Sequence, residues 1–129
     1  MSTKLTRRQW LLSLLPAAAL AQDARKRLSA EELEELLKDK EHVFLLDVRE
    51  PKELDEDGAV KGYVNIPLGQ LESRMSEIPK HKKIVALCLR GVRAGRAAAL
   101  LAKNGYNVVG ACGITEWKQK NKPVIYPKM

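Results

Sequence analysis

Residues 84–93 read Ile84-Val85-Ala86-Leu87-Cys88-Leu89-Arg90-Gly91-Val92-Arg93. The first four form an unbroken apolar run, which predicts a strand buried on both faces. Residues 94–104 predict a helix, and Gly105 is placed to cap its C-terminal end. Cys88 therefore stands where a strand turns into a helix. A thiol there faces unpaired N–H groups and the positive end of a helix dipole, both of which favour negative charge. The thiolate is the nucleophilic form of the side chain. Gly91 allows the loop a positive φ, and a loop curled in that way aims several amides at one point, an anion nest. The amides of Leu89, Arg90, Gly91, Val92 and Arg93 are the candidates, with Arg90 and Arg93 adding positive charge at the rim. Such an assembly suits a nucleophilic sulfur that meets an oxyanion, or one that must itself carry charge, with no histidine needed as base. A cysteine at a strand end is by itself more often a buried structural residue. The glycine and arginines that follow it, ahead of a helix, weigh the reading towards chemistry.

Outward from this segment, Val43-Phe44-Leu45-Leu46 is a second continuous apolar run, and it leads into Asp47-Val48-Arg49. Upstream, Ser29 followed by Glu32 is a capping-box pattern, and Leu33, Leu36 and Leu37 give the helix an apolar stripe. Pro51 opens a turn or helix that ends at Gly58. Tyr63-Val64-Asn65-Ile66 predicts a short strand, 70–75 a short helix, Val108-Val109 a last strand, and 114–120 a helix with Trp117 turned inward. Strands alternate with helices, which argues for an α/β fold: a parallel sheet covered by helices on both faces. Sites on such sheets lie outside the carboxyl ends of the strands. Cys88 and the Asp47–Arg49 segment both fall there. Asp47 is expected to be structural, bracing the turn after its strand. Arg49 is open between that role and a place beside the catalytic edge.

The chain has 129 residues and a formal charge of +7, with 45% hydrophobic and 30% charged residues. That length fits one domain with its own core. The composition is not that of a disordered chain, and two cysteines are too few for a disulfide scaffold or a four-thiolate zinc site. Residues 1–21 have the three-part layout of an export signal: Lys4, Arg7 and Arg8, then an apolar stretch from Trp10 to Leu20, then Ala19-Leu20-Ala21 as a small-x-small cleavage site. The apolar stretch is too short for a membrane anchor. Thr6-Arg7-Arg8-Gln9-Trp10-Leu11 is compatible with the twin-arginine route as well as general secretion. The expectation is an exported, periplasmic protein with a lead-in at 22–27 and a domain at 28–129. Removing the three signal cations and no anion lowers the charge from +7 to +4. With few aromatics and no groove motif, nucleic-acid binding is not expected. His42 and His81 are isolated in polar surroundings and make no metal site.

Four ordered motifs resemble the single-domain rhodaneses, thiosulfate-type sulfurtransferases. Leu46-Asp47-Val48-Arg49-Glu50-Pro51-x-Glu53 is similar to that family's first signature, and Gly62-Tyr63-Val64-Asn65-Ile66-Pro67-Leu68 to its second. Cys88-x-x-Gly91-x-Arg93 resembles its active-site loop, and Gly113-Ile114-x-x-Trp117 its closing signature. The resemblance implies a rhodanese-like five-stranded parallel sheet, with a short strand near Arg27-Leu28 as the fifth member. It also implies that Cys88 takes the outer sulfur of thiosulfate or a similar small anionic donor as a persulfide. A thiol or cyanide then accepts that sulfur, and no cofactor is called for. Arg93 is the implied partner of a substrate oxyanion. Related phosphatases and arsenate reductases place five residues between Cys and Arg; here four intervene, which favours a sulfur-centred substrate.

Three positions depart from the family pattern. Gly58-Ala59-Val60-Lys61-Gly62 lacks the usual histidine, Ala94 replaces a common Ser or Thr, and Cys112 stands where glycine is frequent. Cys112 is expected in a loop after the last strand. There it is either a small residue filling a glycine position or a resolving thiol that could bridge to Cys88. The competing functions are a thiol-redox protein using both cysteines and a non-catalytic binding module on the same fold.

Overall fold

The computed structural model describes residues 26–128. The expected export signal, residues 1–21, lies outside the described residues. Ser29 begins the first helix as the sequence predicts: its hydroxyl accepts from the Glu32 amide at 3.1 Å and the Glu32 carboxylate accepts from the Ser29 amide at 3.0 Å. Such a cap stabilises a helix end by about 1 kcal/mol. Helix α1 (Ala30–Leu37) is followed by β1 (Val43–Asp47), α2 (Pro51–Asp57) and β2 (Val64–Asn65). A 3₁₀ turn at Leu68–Gln70 leads to α3 (Leu71–Arg74), and a second at Met75–Glu77 closes it. Then come β3 (Lys83–Cys88), α4 (Val92–Lys103), β4 (Asn107–Gly113) and α5 (Ile114–Gln119).

The sheet is parallel throughout, in the order β2-β1-β3-β4. Its strands alternate their side chains between two cores. Leu46, Ile84, Ala86 and Cys88 face one side with Leu71 of α3 and with Ala94, Ala97, Ala98 and Leu101 of α4. Val43, Leu45, Val85, Leu87 and Cys112 face the other with Leu33 of α1 and with Ile114 and Trp117 of α5. Apolar residues on both faces explain why β1 and β3 read as continuous runs rather than alternating ones.

Among the described residues the sheet has four strands, which corrects the expectation of five. The segment near Arg27-Leu28 reaches β4 but forms a single parallel bridge, Arg27 with Ala111. The Leu28 amide donates to Ala111 O and the Ala111 amide to Lys26 O, each at 2.8 Å. Among the described residues the chain passes from this bridge directly to Ser29, the N-cap of α1. Lys26 and Arg27, read from sequence as lead-in, are thereby tied to the fold. Two other elements also differ. β2 has two residues because Gly62, at φ +93°, turns the chain before it and Pro67 follows soon after. β4 runs past Gly110 to Gly113, so Cys112 lies inside the strand and not in a loop. Gly110 does not interrupt the strand, and Gly113 is its last residue. A Cβ on Gly110 would meet Leu28 Cγ at 2.6 Å, and one on Gly113 would meet Leu89 O at 2.8 Å. They are places of close backbone approach.

Candidate active site

β3 carries Cys88 to the carboxyl edge of the sheet, where the residue is 1% exposed. The five residues after it are partly or fully exposed. Gly91 takes φ +102°, in the left-handed region that glycine alone adopts freely, and stands as N-cap of α4. Its amide donates to Cys88 Sγ at 2.9 Å. Three successive carbonyls of the loop are held, two from outside it and the third by the first turn of α4. Leu89 O accepts from the Thr115 amide at 3.1 Å, Arg90 O from Arg27 Nη1 at 2.6 Å, and Gly91 O from the Gly95 amide at 2.9 Å. In a planar trans peptide the N–H points opposite to the C=O. The Arg90, Gly91 and Val92 amides are therefore turned away from those three donors, and the Gly91 amide is seen to meet the sulfur. The Val92, Arg93 and Ala94 amides open α4, where no carbonyl lies four residues back within the helix. This is a loop of backbone donors around one thiol, the arrangement that holds negative charge. On the Leu89 side of the loop lies a depression of about 280 Å³ lined by Asp57, Leu89, Ile114, Thr115, Lys118 and Gln119, which does not reach Cys88.

The two loop arginines differ. Arg90 is exposed. Arg93 is committed to Glu53 of α2 in a two-pronged pair, Nη1 to Oε2 at 2.7 Å and Nη2 to Oε1 at 2.8 Å. The Arg93 hydrogen bonds hold the Glu53 carboxyl far below its ordinary range, at about 2. Arg93 thus ties the start of α4 to α2 instead of presenting an unpaired cation to the loop. The neighbouring β1 end carries its own charges. Asp47 and Arg49 are fully buried. Arg49 Nε donates to Asp47 Oδ1 at 3.0 Å, and its Nη2 to Asp47 Oδ2 at 2.7 Å and to Gly58 O at 2.9 Å. Asn65 Nδ2 donates to both Asp47 O and Arg49 O, at 2.9 and 2.8 Å. Asp47, Arg49 and Asn65 together tie the turn from β1 into α2.

Cys112 pairs in register with Leu87 and belongs to the core on the opposite face of the sheet from Cys88. Both thiols are free. Burial pushes the Cys112 thiol well above its ordinary value, and its Sγ lies 3.6 Å from Ala86 O. A bridge between the two cysteines would have to cross the sheet.

Sequence reasoning missed three contributors. Glu53 was inside a quoted motif, but its partner lies 40 residues away, with no local signature. Gly113 is required by the loop's close approach. Arg27 lies 63 residues before the carbonyl it holds.

A parallel α/β sheet with one cysteine set in an amide loop at a strand-to-helix turn defines a class of thiol-centred group-transfer domains. The chain belongs to the rhodanese-like domain family, whose model matches residues 29–120. It is 34% identical over 105 residues to a sulfurtransferase of Allochromatium vinosum, covering 78% of this chain and 95% of the relative. It is 35% identical over 100 residues to the mitochondrial thiosulfate sulfurtransferase RDL2 of Saccharomyces cerevisiae, covering 66% of each chain. The crystal structure of a rhodanese-related protein from Thermoplasma volcanium superposes with a TM-score of 0.69 at 29% identity, covering 78% of this chain and 98% of that one.

Proposed function

We propose that this protein is a sulfurtransferase in which Cys88 carries the sulfur. The Cys88 thiolate attacks the outer sulfur of thiosulfate or a similar sulfane donor. The S–S bond of the donor breaks, sulfite leaves with that bond's electron pair, and Cys88 becomes a persulfide anion. Cyanide or a thiolate then attacks the terminal sulfur and frees the Cys88 thiolate, giving thiocyanate or a new persulfide. This is covalent catalysis with electrostatic stabilisation by fixed dipoles. The observation that carries it is the Gly91 amide on Cys88 Sγ at 2.9 Å, within a loop whose carbonyls are tied outward. With Arg93 occupied by Glu53, backbone amides are the main stabiliser of the charged sulfur, and Arg90 is the rim cation. The sulfurtransferase relatives support the same class of reaction. Placing the two thiols on opposite faces argues against the redox alternative.

Thiocyanate formation from thiosulfate and cyanide tests the assignment. Cys88→Ser, nearly isosteric but unable to carry a persulfide, is expected to abolish it while unfolding at the same denaturant concentration as wild type. Retained transfer in that variant would remove Cys88 from the mechanism. Residues 1–21 are also proposed as an export signal, supported by their cation, apolar and small-residue order. Fusing them to a reporter that is active only outside the cytoplasm tests this: an active fusion supports export and an inactive one removes it.

A further inference from the structure

One peptide of the loop is gripped from both sides. The Gly91 N–H points at Cys88 Sγ, and the carbonyl of that same peptide unit, Arg90 O, accepts from Arg27 Nη1. Because the unit is rigid and trans, the guanidinium outside and the sulfur inside are connected through a single group. The Arg27 side chain starts from a fixed point, since its backbone bridges Ala111 and is flanked by two 2.8 Å hydrogen bonds. The guanidinium also fills the space a Cβ on Gly91 would need.

The peptide needs such a grip. Glycine at φ +102° rotates its preceding peptide at little cost. A flip would take the N–H off the sulfur and turn a carbonyl oxygen towards it, repelling any anionic form. A hydrogen bond from a cation is stronger than a neutral one, and it polarises the N–H at the other end of the same peptide.

We infer that Arg27 is a positioning residue for sulfur transfer: its cation latches the Arg90–Gly91 peptide with the amide directed at Cys88. The inference rests on the sulfurtransferase reading and adds a residue outside the four motif segments. The latch sets how readily the loop holds sulfur as an anion. It acts on the thiolate before any donor arrives, so an uncharged reagent should sense it.

The test uses the full chain with Arg27→Met, which keeps much of the apolar stem, and Arg27→Lys, which keeps the charge. Alkylation of Cys88 by iodoacetamide is timed at neutral pH, with the Cys88 peptide resolved by mass. In Arg27→Met the rate is expected to fall roughly tenfold. Arg27→Lys recovers most of it. A contribution confined to folding would lower the melting temperature and leave the alkylation rate of the folded protein unchanged. A simple rim attraction would raise KM for thiosulfate and leave alkylation unchanged. Either of those results overturns the latch. If wild type takes no sulfur from thiosulfate, the sulfurtransferase reading fails on its own, while the alkylation rate still decides the role of Arg27.

Discussion

Two strand-to-helix turns lie side by side at the carboxyl edge of the sheet, joined by the Val48 amide donating to Leu87 O at 2.9 Å. After β1 the chain reads Asp47-Val48-Arg49-Glu50-Pro51; after β3 it reads Cys88-Leu89-Arg90-Gly91-Val92. Each has a polar residue at the strand end and an arginine two positions on. In the first turn Arg49 folds inward and closes on Asp47, with both side chains out of contact with solvent. In the second, Arg90 points out to solvent, and the donors around Cys88 belong to the backbone. A cation turned inward spends its Nε and Nη2 hydrogen bonds on its neighbours, leaving Arg49 Nη1 buried without a partner, and becomes a brace. A cation turned outward leaves the turn's amides to whatever anion enters. One edge of the sheet thus holds a braced turn and, on the sulfurtransferase reading proposed above, a chemical one built on the same plan.

Breaking the brace is expected to have the largest effect on stability. Arg49→Met leaves Asp47 buried without its partner and should destabilise the fold by about 3–5 kcal/mol, the cost of orphaning a buried charge. Denaturant unfolding measures this, and transfer activity per folded molecule should change little. The double change Asp47→Leu with Arg49→Met should recover part of the loss, because no charge is then left alone. A loss in Arg49→Met comparable to that of an exposed pair would erase the distinction between the two turns.

Gly91→Ala sharpens the comparison from the other side. A side chain there is strained at φ +102° and collides with the Arg27 guanidinium. A stability cost of about 1–2 kcal/mol is expected, with a drop in sulfur transfer well beyond what the unfolded fraction explains. Parallel unfolding and activity assays separate the two. Unchanged transfer would mean that the curl of the loop is not needed.

The smallest effect concerns the bridge between the two turns, Glu53 with Arg93. The Glu53 carboxyl is lowered from 4.5 to about 2, chiefly by hydrogen bonds from Arg93. A depressed acid stabilises the fold fully above its unfolded value and loses that contribution as pH falls towards its folded one. The difference in stability between wild type and Glu53→Gln should therefore be constant, at about 1 kcal/mol, above pH 4.5 and shrink as pH falls towards 2. Urea midpoints over that range give the result; a constant gap would mean the pair is not carboxylate-dependent.

The layout of the chain was legible from local pattern. Two apolar runs marked the central strands, Ser29 with Glu32 marked a helix start, and Gly91 after Cys88 marked the curled loop. Local pattern did not reveal where the arginines point. Arg49 finds a partner two residues back, Arg93 one 40 residues back, and Arg27 a carbonyl 63 residues ahead. Nothing in the neighbouring residues distinguishes these choices. β4 runs further than Val108-Val109, and its Gly110 and Gly113 answer to groups passing close by from distant parts of the chain, which no neighbouring residue reveals. Alternation from Val108 would have put Cys112 on the face of Cys88; the register shift between Val108 and Gly110 reverses the pattern and puts it on the other one.

The account turns on whether the sulfur at the mouth of α4 accepts and releases another sulfur. Intact-mass measurement of the protein after thiosulfate treatment tests this directly. The mass should rise by one sulfur atom, return to its starting value on adding cyanide, and stay unchanged in Cys88→Ser. A wild-type mass that does not move, or an added sulfur that persists in the Cys88 variant, would contradict it.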